Sequence, residues 1–132
     1  MINKIAKKSQ AKTCHPSKRP FGVGVLIGGV DETGTHLFET CPSANFYEYK
    51  AMAIGAKCQS AKTYLEKNFE SFGSASRNDL IKHGLKALRA PAQEEELTVN
   101  NVSVGVVSLD EKFHLLSRSE LQQFLSEDMQ IA

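Results

Sequence analysis

The chain has 132 residues, 41% hydrophobic and 23% charged, with a formal net charge of +1. That length and balance fit one ordinary globular domain and exclude a partnership with nucleic acid or a membrane surface driven by net charge. The three cysteines, Cys14, Cys41 and Cys58, form neither a disulfide framework nor a Cys-x-x-Cys pair, which fits a reducing compartment, and no apolar run approaches a membrane span.

From Met1 to Arg19 the chain carries Lys4, Lys7, Lys8, Lys12, Lys18 and Arg19 with no acid. Ile2, Ile5, Ala6 and Ser9 keep helical spacing, so Met1 to about Lys12 reads as the tail of a helix with a solvated basic end, a transit peptide being the alternative. Pro16 disfavours helix at the residue before it, which ends this element ahead of the Cys14-His15-Pro16-Ser17 loop.

Phe21, Val23, Val25 and Ile27 alternate with Gly22, Gly24, Leu26 and Gly28, giving a strand with one bulky and one nearly bare face. A bare face implies another layer packing close. The Asp31-Glu32-Thr33-Gly34 turn leads to a strand over His36 to Thr40. A second turn at Cys41 to Asn45 leads to a third strand, Phe46 to Ile54, and the three form an antiparallel meander ended by Gly55.

Ala61, Leu65, Phe69 and Phe72 then fall on one side of a helix over about Gln59 to Phe72, with Lys62, Glu66, Lys67 and Glu70 opposite. Gly73 ends it, and Ser76 is the N-cap of a second helix through Leu80, Ile81, Gly84, Leu85 and Leu88, stopped near Ala90 by Pro91. Gln93 to Glu96 is a short acidic connection. Val102, Val104 and Val106 form a strand, Phe113 to Leu116 its short partner, and Ser119 with Gln122 resembles a capping box for a last helix through Leu125. Strands in runs and helices in runs predict an α+β fold with a largely antiparallel sheet of five strands and helices on one side. The other sheet face then needs cover from elsewhere.

Candidate chemistry is sparse. Gly22, Gly24 and Gly28 miss the dinucleotide-loop spacing by one residue and have no helix behind them, so they are read as sheet packing. His36 with Cys41, or Cys14 with His15, lacks a second pair at metal-ligand spacing. Cys41 reads as a turn residue, and Cys58, near a helix start, as an ordinary small thiol. His83 and His114 have no nucleophile tied to them. Tyr47 and Tyr49 share a strand face with Ala51 and Ala53, which suits a buried layer or an interface equally. No catalytic, cofactor-binding or metal residue is assigned.

The segments RPFGVGVLIGGVDETG, HLFETCPSANFYEYKAMAIGA, QSAKTYLEK and DLIKHGLKAL resemble the C-terminal half of the 20S proteasome alpha subunits over about Lys18 to Leu125. The resemblance implies a partial N-terminal nucleophile hydrolase fold, an αββα sandwich with antiparallel sheets, whose first half supplies the missing cover. It divides the chain into 1–17, the end of a truncated helix and its loop, and 18–132, the C-terminal half of an alpha-type domain.

By the same resemblance the chain is a non-catalytic structural subunit of the alpha ring, in a truncated form, supporting ubiquitin-dependent degradation. Its partners are other alpha subunits and beta-ring subunits, without nucleic acid, membrane or cofactor, and its location is cytoplasmic and nuclear. The beta relatives use an N-terminal threonine whose free α-amine acts as base; Thr13 is internal and lacks that device. The alternatives are a stand-alone α+β interaction module, an inactive paralogue outside the particle, and, behind both, a threonine hydrolase. Ala44 stands where many alpha subunits have Gly, an exchange that is tolerable if that turn position has a negative φ.

Overall fold

The computed structural model describes residues 2–91 and 96–129, apart from the side chains of 128 and 129. They form two compact units, 1–54 and 55–132. The architecture is α+β with every strand pair antiparallel. Among the described residues no helix is long and apolar enough to cross a membrane.

In the first unit, helix α1 covers Ile2–Cys14, two residues beyond the expected end, and Pro16 follows at the position that forbids a further turn. Ser9 is the buried residue of α1; its hydroxyl donates to the Ile5 carbonyl at 3.1 Å, which satisfies it within the helix. The Lys12 ammonium lies 3.9 Å from the centre of the Phe21 ring.

Strands β1 (Val25–Asp31), β2 (Gly34–Thr40) and β3 (Phe46–Glu48) form one sheet in the order β1-β2-β3. Two expected strands are shorter than the alternation suggests. β1 begins at Val25 and not at Phe21, because its partner β2 ends at Thr40, opposite Val25, and leaves residues 21–24 nothing to pair with. β3 stops at Glu48 and does not reach Ile54, since the Tyr49 amide makes one more bond to the Leu37 carbonyl at 2.8 Å and the chain then bends away. Alternation marks an extended chain; pairing needs a partner strand.

The tight turn between β1 and β2 centres on Glu32 and Thr33, and Gly34 closes it at φ 122, a conformation open to glycine. At the second turn the Ala44 amide donates to the Cys41 carbonyl at 3.0 Å, and Ala44 sits at φ 72. The condition for a harmless alanine, a negative φ, is therefore not met, and Ala44 bears a left-handed backbone strain that glycine would not. On the bare strand face a Cβ built on Gly22 or Gly28 meets no atom within 4 Å, whereas one on Gly24 meets the Thr40 carbonyl oxygen at 3.5 Å.

The second unit holds α2 (Cys58–Phe72), α3 (Arg77–Arg89), a two-stranded sheet of β4 (Gly105–Val106) and β5 (His114–Leu115), and α4 (Arg118–Met129). These strands are a separate ribbon, so the expected five-stranded sheet is replaced by sheets of three and two strands. Only residues 105 and 106 of the valine-alternating stretch enter the ladder, while Val102 turns into the core.

That core joins Ile81 and Leu85 of α3, Val102, and Leu121 and Leu125 of α4, with Val104, Val106, Leu116 and Phe124 packed around it. The α3 start has the expected cap: Ser76 accepts from the Asp79 amide, and Asp79 accepts from the Ser76 amide in return. The last helix is capped two residues earlier than expected, by Ser117 with Glu120 rather than Ser119 with Gln122. Glutamate wins because its ionised carboxylate accepts from both the Ser117 amide, at 2.9 Å, and the Ser117 hydroxyl, at 2.6 Å. The acidic connection at Gln93 to Glu96 lies almost wholly outside the described residues.

Candidate functional site

The polar constellation with most internal organisation lies on one face of the first unit's sheet. Pairing of Gly29 with His36, and of Phe38 with Glu48, places Asp31, His36 and Glu48 on the same side of three neighbouring strands. His36 Nδ1 meets Glu48 Oε1 at 2.5 Å, and Nε2 meets Thr33 Oγ1 at 2.7 Å and Asp31 Oδ1 at 3.1 Å. The Asp31 oxygen also accepts the Thr33 amide at 2.8 Å and its hydroxyl at 2.6 Å. Phe38 stacks on the ring with centroids 6.0 Å apart, and Phe46 meets Phe38 edge-on. A cleft of about 380 Å³ beside them is lined by Ile2, Ile27, Val30, Asp31, His36 and Phe38, among others.

A hydroxyl, an imidazole and a carboxylate in that sequence have the distances of a nucleophilic triad. The placement of the protons argues against one. Nδ1 faces an acceptor-only carboxylate and donates to it; with the Thr33 hydroxyl hydrogen on Asp31, Nε2 donates to Thr33 as well. Both nitrogens then carry hydrogen, and an imidazolium accepts no proton from a nucleophile. In accord with this, the Glu48 hydrogen bond raises the His36 pKa, partly opposed by desolvation and assisted by Asp31. The Thr33 hydroxyl and amide lower the Asp31 pKa.

The other sequence candidates are dispersed. His83 is half-buried, 2.9 Å from the Tyr64 hydroxyl, with the Phe72 ring edge-on at 5.0 Å, so it fastens α3 to α2. His114 lies 3.5 Å from Glu111, which itself forms a two-pronged pair with Arg77 at 2.9 and 3.2 Å. Cys14, Cys41 and Cys58 are free thiols. Cys58 does open α2, and Cys41 does belong to the turn. Tyr47 is exposed on the sheet edge. Among the described residues no group of three or more His, Cys, Asp or Glu is placed to hold a metal ion.

Several large apolar side chains are exposed. In the first unit Val23, Val25, Phe46 and Tyr47 are exposed; in the second, Leu109 is 70%, Phe113 67% and Leu115 64% exposed.

A family model for proteasome subunits matches residues 1–107. The chain belongs to the proteasome subunit family. Proteasome subunit alpha type-1 of Dictyostelium discoideum is 44% identical over 128 residues, which are 96% of this chain and 52% of that protein. Alpha type-1 of Caenorhabditis elegans is 42% identical, over 96% of this chain and 50% of that protein. A probable alpha type-6 subunit of Schizosaccharomyces pombe is 40% identical, over 95% and 46%. The chain thus spans about half the length of the curated relatives it matches. The alpha resemblance carried by the Cys41 turn and the Gln59 helix start agrees with these names, and α+β elements with antiparallel sheets are those of a proteasome-type fold.

Proposed function

We propose that this chain is a non-catalytic structural component of the alpha ring of the 20S proteasome core, acting in protein degradation through contacts rather than bond chemistry. In this reading residues 18–132 are the C-terminal half of an alpha-type domain, and 1–17 the helix and loop that lead into it. Its partners are neighbouring alpha subunits and beta-ring subunits, and it works in cytoplasm and nucleus. The observation that carries the reading is the match to alpha-type subunits along nearly the whole chain.

Physical chemistry supports both parts of it. A threonine nucleophile of the proteasomal kind needs its own free α-amine as base, and Thr13 lies inside α1 with its hydroxyl donating to the Gln10 carbonyl at 2.7 Å. His36, the imidazole with a hydroxyl beside it, has its pKa raised by the Glu48 hydrogen bond, which favours the protonated ring over the base. The exposed Phe46, Tyr47, Leu109, Phe113 and Leu115 supply apolar area suited to burial against other subunits.

The test is to tag the chain in cells, separate extracts by size and identify what travels with it. Migration with a large particle containing alpha and beta subunits is expected. A stable free monomer would support an interaction module and overturn the ring role. A mature chain starting at a threonine and hydrolysing peptides would overturn the non-catalytic assignment.

A further inference from the structure

We propose that Asp31, Thr33, His36 and Glu48 form a proton-controlled clamp that fastens strand β3 to the β1–β2 hairpin. This goes beyond the ring role and does not rest on it.

The geometry is a chain of hydrogen bonds running across the sheet. Glu48 lies on β3, an edge strand of three residues whose ladder ends at the single Tyr49 amide bond to Leu37. His36, in the middle strand, reaches Glu48 with one nitrogen and the hairpin turn with the other. The ring is a link between two elements that share no strand pairing. Asp31 from the hairpin and Glu48 from β3 are the charged groups acting on it; Phe38 stacks on its face, and α1 brings only Ile2 to the cleft beside it.

With the ring doubly protonated, every polar group has a partner: Nδ1 donates to Glu48, Nε2 to Thr33 and Asp31, and the Thr33 hydroxyl to Asp31. Loss of one proton breaks the set. If Nδ1 is bare, its lone pair faces the Glu48 carboxylate. If Nε2 is bare, Thr33 must turn its hydrogen from Asp31 to the ring, which leaves the Asp31 carboxylate with two donors fewer and only the Thr33 amide. Either way the attraction between a cation and two anions is gone, and β3 retains only its short ladder.

The sign follows from linkage. A histidine whose pKa is raised on folding contributes fully below its unfolded value of about 6.5, and the contribution is lost as pH rises through the folded value. Asp31, whose pKa is lowered, keeps its part until the pH falls through that lower value. The clamp is closed below the folded His36 value for as long as Asp31 and Glu48 both stay ionised, and it opens on the alkaline side.

Two measurements on the full chain test this. A histidine-selective NMR titration should place His36 above about 6.5, with about tenfold change available in the opening of β3 for each unit of elevation. A His36 titration at or below that value would overturn the proposal. Hydrogen exchange at the Tyr49 amide, corrected for the intrinsic rate, should accelerate as pH rises through the His36 transition in the unmodified chain. This acceleration should vanish in His36→Gln, and Glu48→Gln should lower the transition. A pH-independent Tyr49 amide, or an unchanged profile in His36→Gln, would refute it. The titration of the unmodified chain decides the matter even if the variants fold poorly.

Discussion

Replacing Leu85 with alanine asks whether the second unit has a core of its own. Leu85 is 1% exposed and lies with Ile81, Val102, Leu121 and Leu125, so α3, the Val102 segment and α4 all lose contacts at once. Removal of about three carbon groups at roughly 0.8 kcal/mol each gives about 2.4 kcal/mol of transfer free energy. A cavity contribution brings buried leucine deletions into the range of about 2–5 kcal/mol. Leu116 and Phe124 are only partly buried against the cluster and can move inward, so a value near the middle, about 3 kcal/mol, is expected. Equilibrium urea unfolding followed by far-ultraviolet circular dichroism reads this as a lower midpoint at constant slope. Leu109→Ala, at a residue 70% exposed, is the control and should stay within about 0.5 kcal/mol. If Leu85→Ala were no worse than that control, the packing of α3 against α4 would not be what holds these residues together.

Two further predictions concern the backbone. Ala44→Gly should stabilise the first unit by about 0.5–1 kcal/mol, since Ala44 is held at φ 72 and glycine removes the Cβ clash at some cost in unfolded-state entropy; a lower urea midpoint would contradict this. Ser76→Ala should cost about 1 kcal/mol by removing the α3 cap. It should also weaken acid sensitivity: the Ser76 hydroxyl and amide lower the Asp79 pKa, so Asp79 contributes above its unfolded pKa and loses that contribution as pH falls through its folded one. An unchanged acid limb of the stability–pH curve in Ser76→Ala would refute the coupling.

Local rules read the helices α2 and α3, the Ser76 cap and the two turns, all of which depend on residues within a few positions of one another. Which apolar residues those helices bury is a tertiary matter: Ala61, Ile81 and Leu85 are buried, while Phe69, Leu80 and Leu88 are exposed. At the last helix the rule was right and the choice wrong: Ser117 with Glu120 and Ser119 with Gln122 offer the same spacing, and the ionised member prevails.

The strand ends fail for a different reason. Residues 21–24 and 50–54 carry the alternation of a strand, but alternation holds no information about whether a partner lies alongside. The His36 cluster shows the same division. The sequence determined a turn at Asp31 to Gly34 with His36 opening the strand that follows. Only the tertiary structure, through the pairing of Phe38 with Glu48, decided that a second carboxylate meets the ring from β3 and favours its protonated form. Family membership is legible in the residues themselves, because it is written in segments that persist in order along the chain. The protonation of one imidazole is not, because it depends on the register of a strand beyond the hairpin.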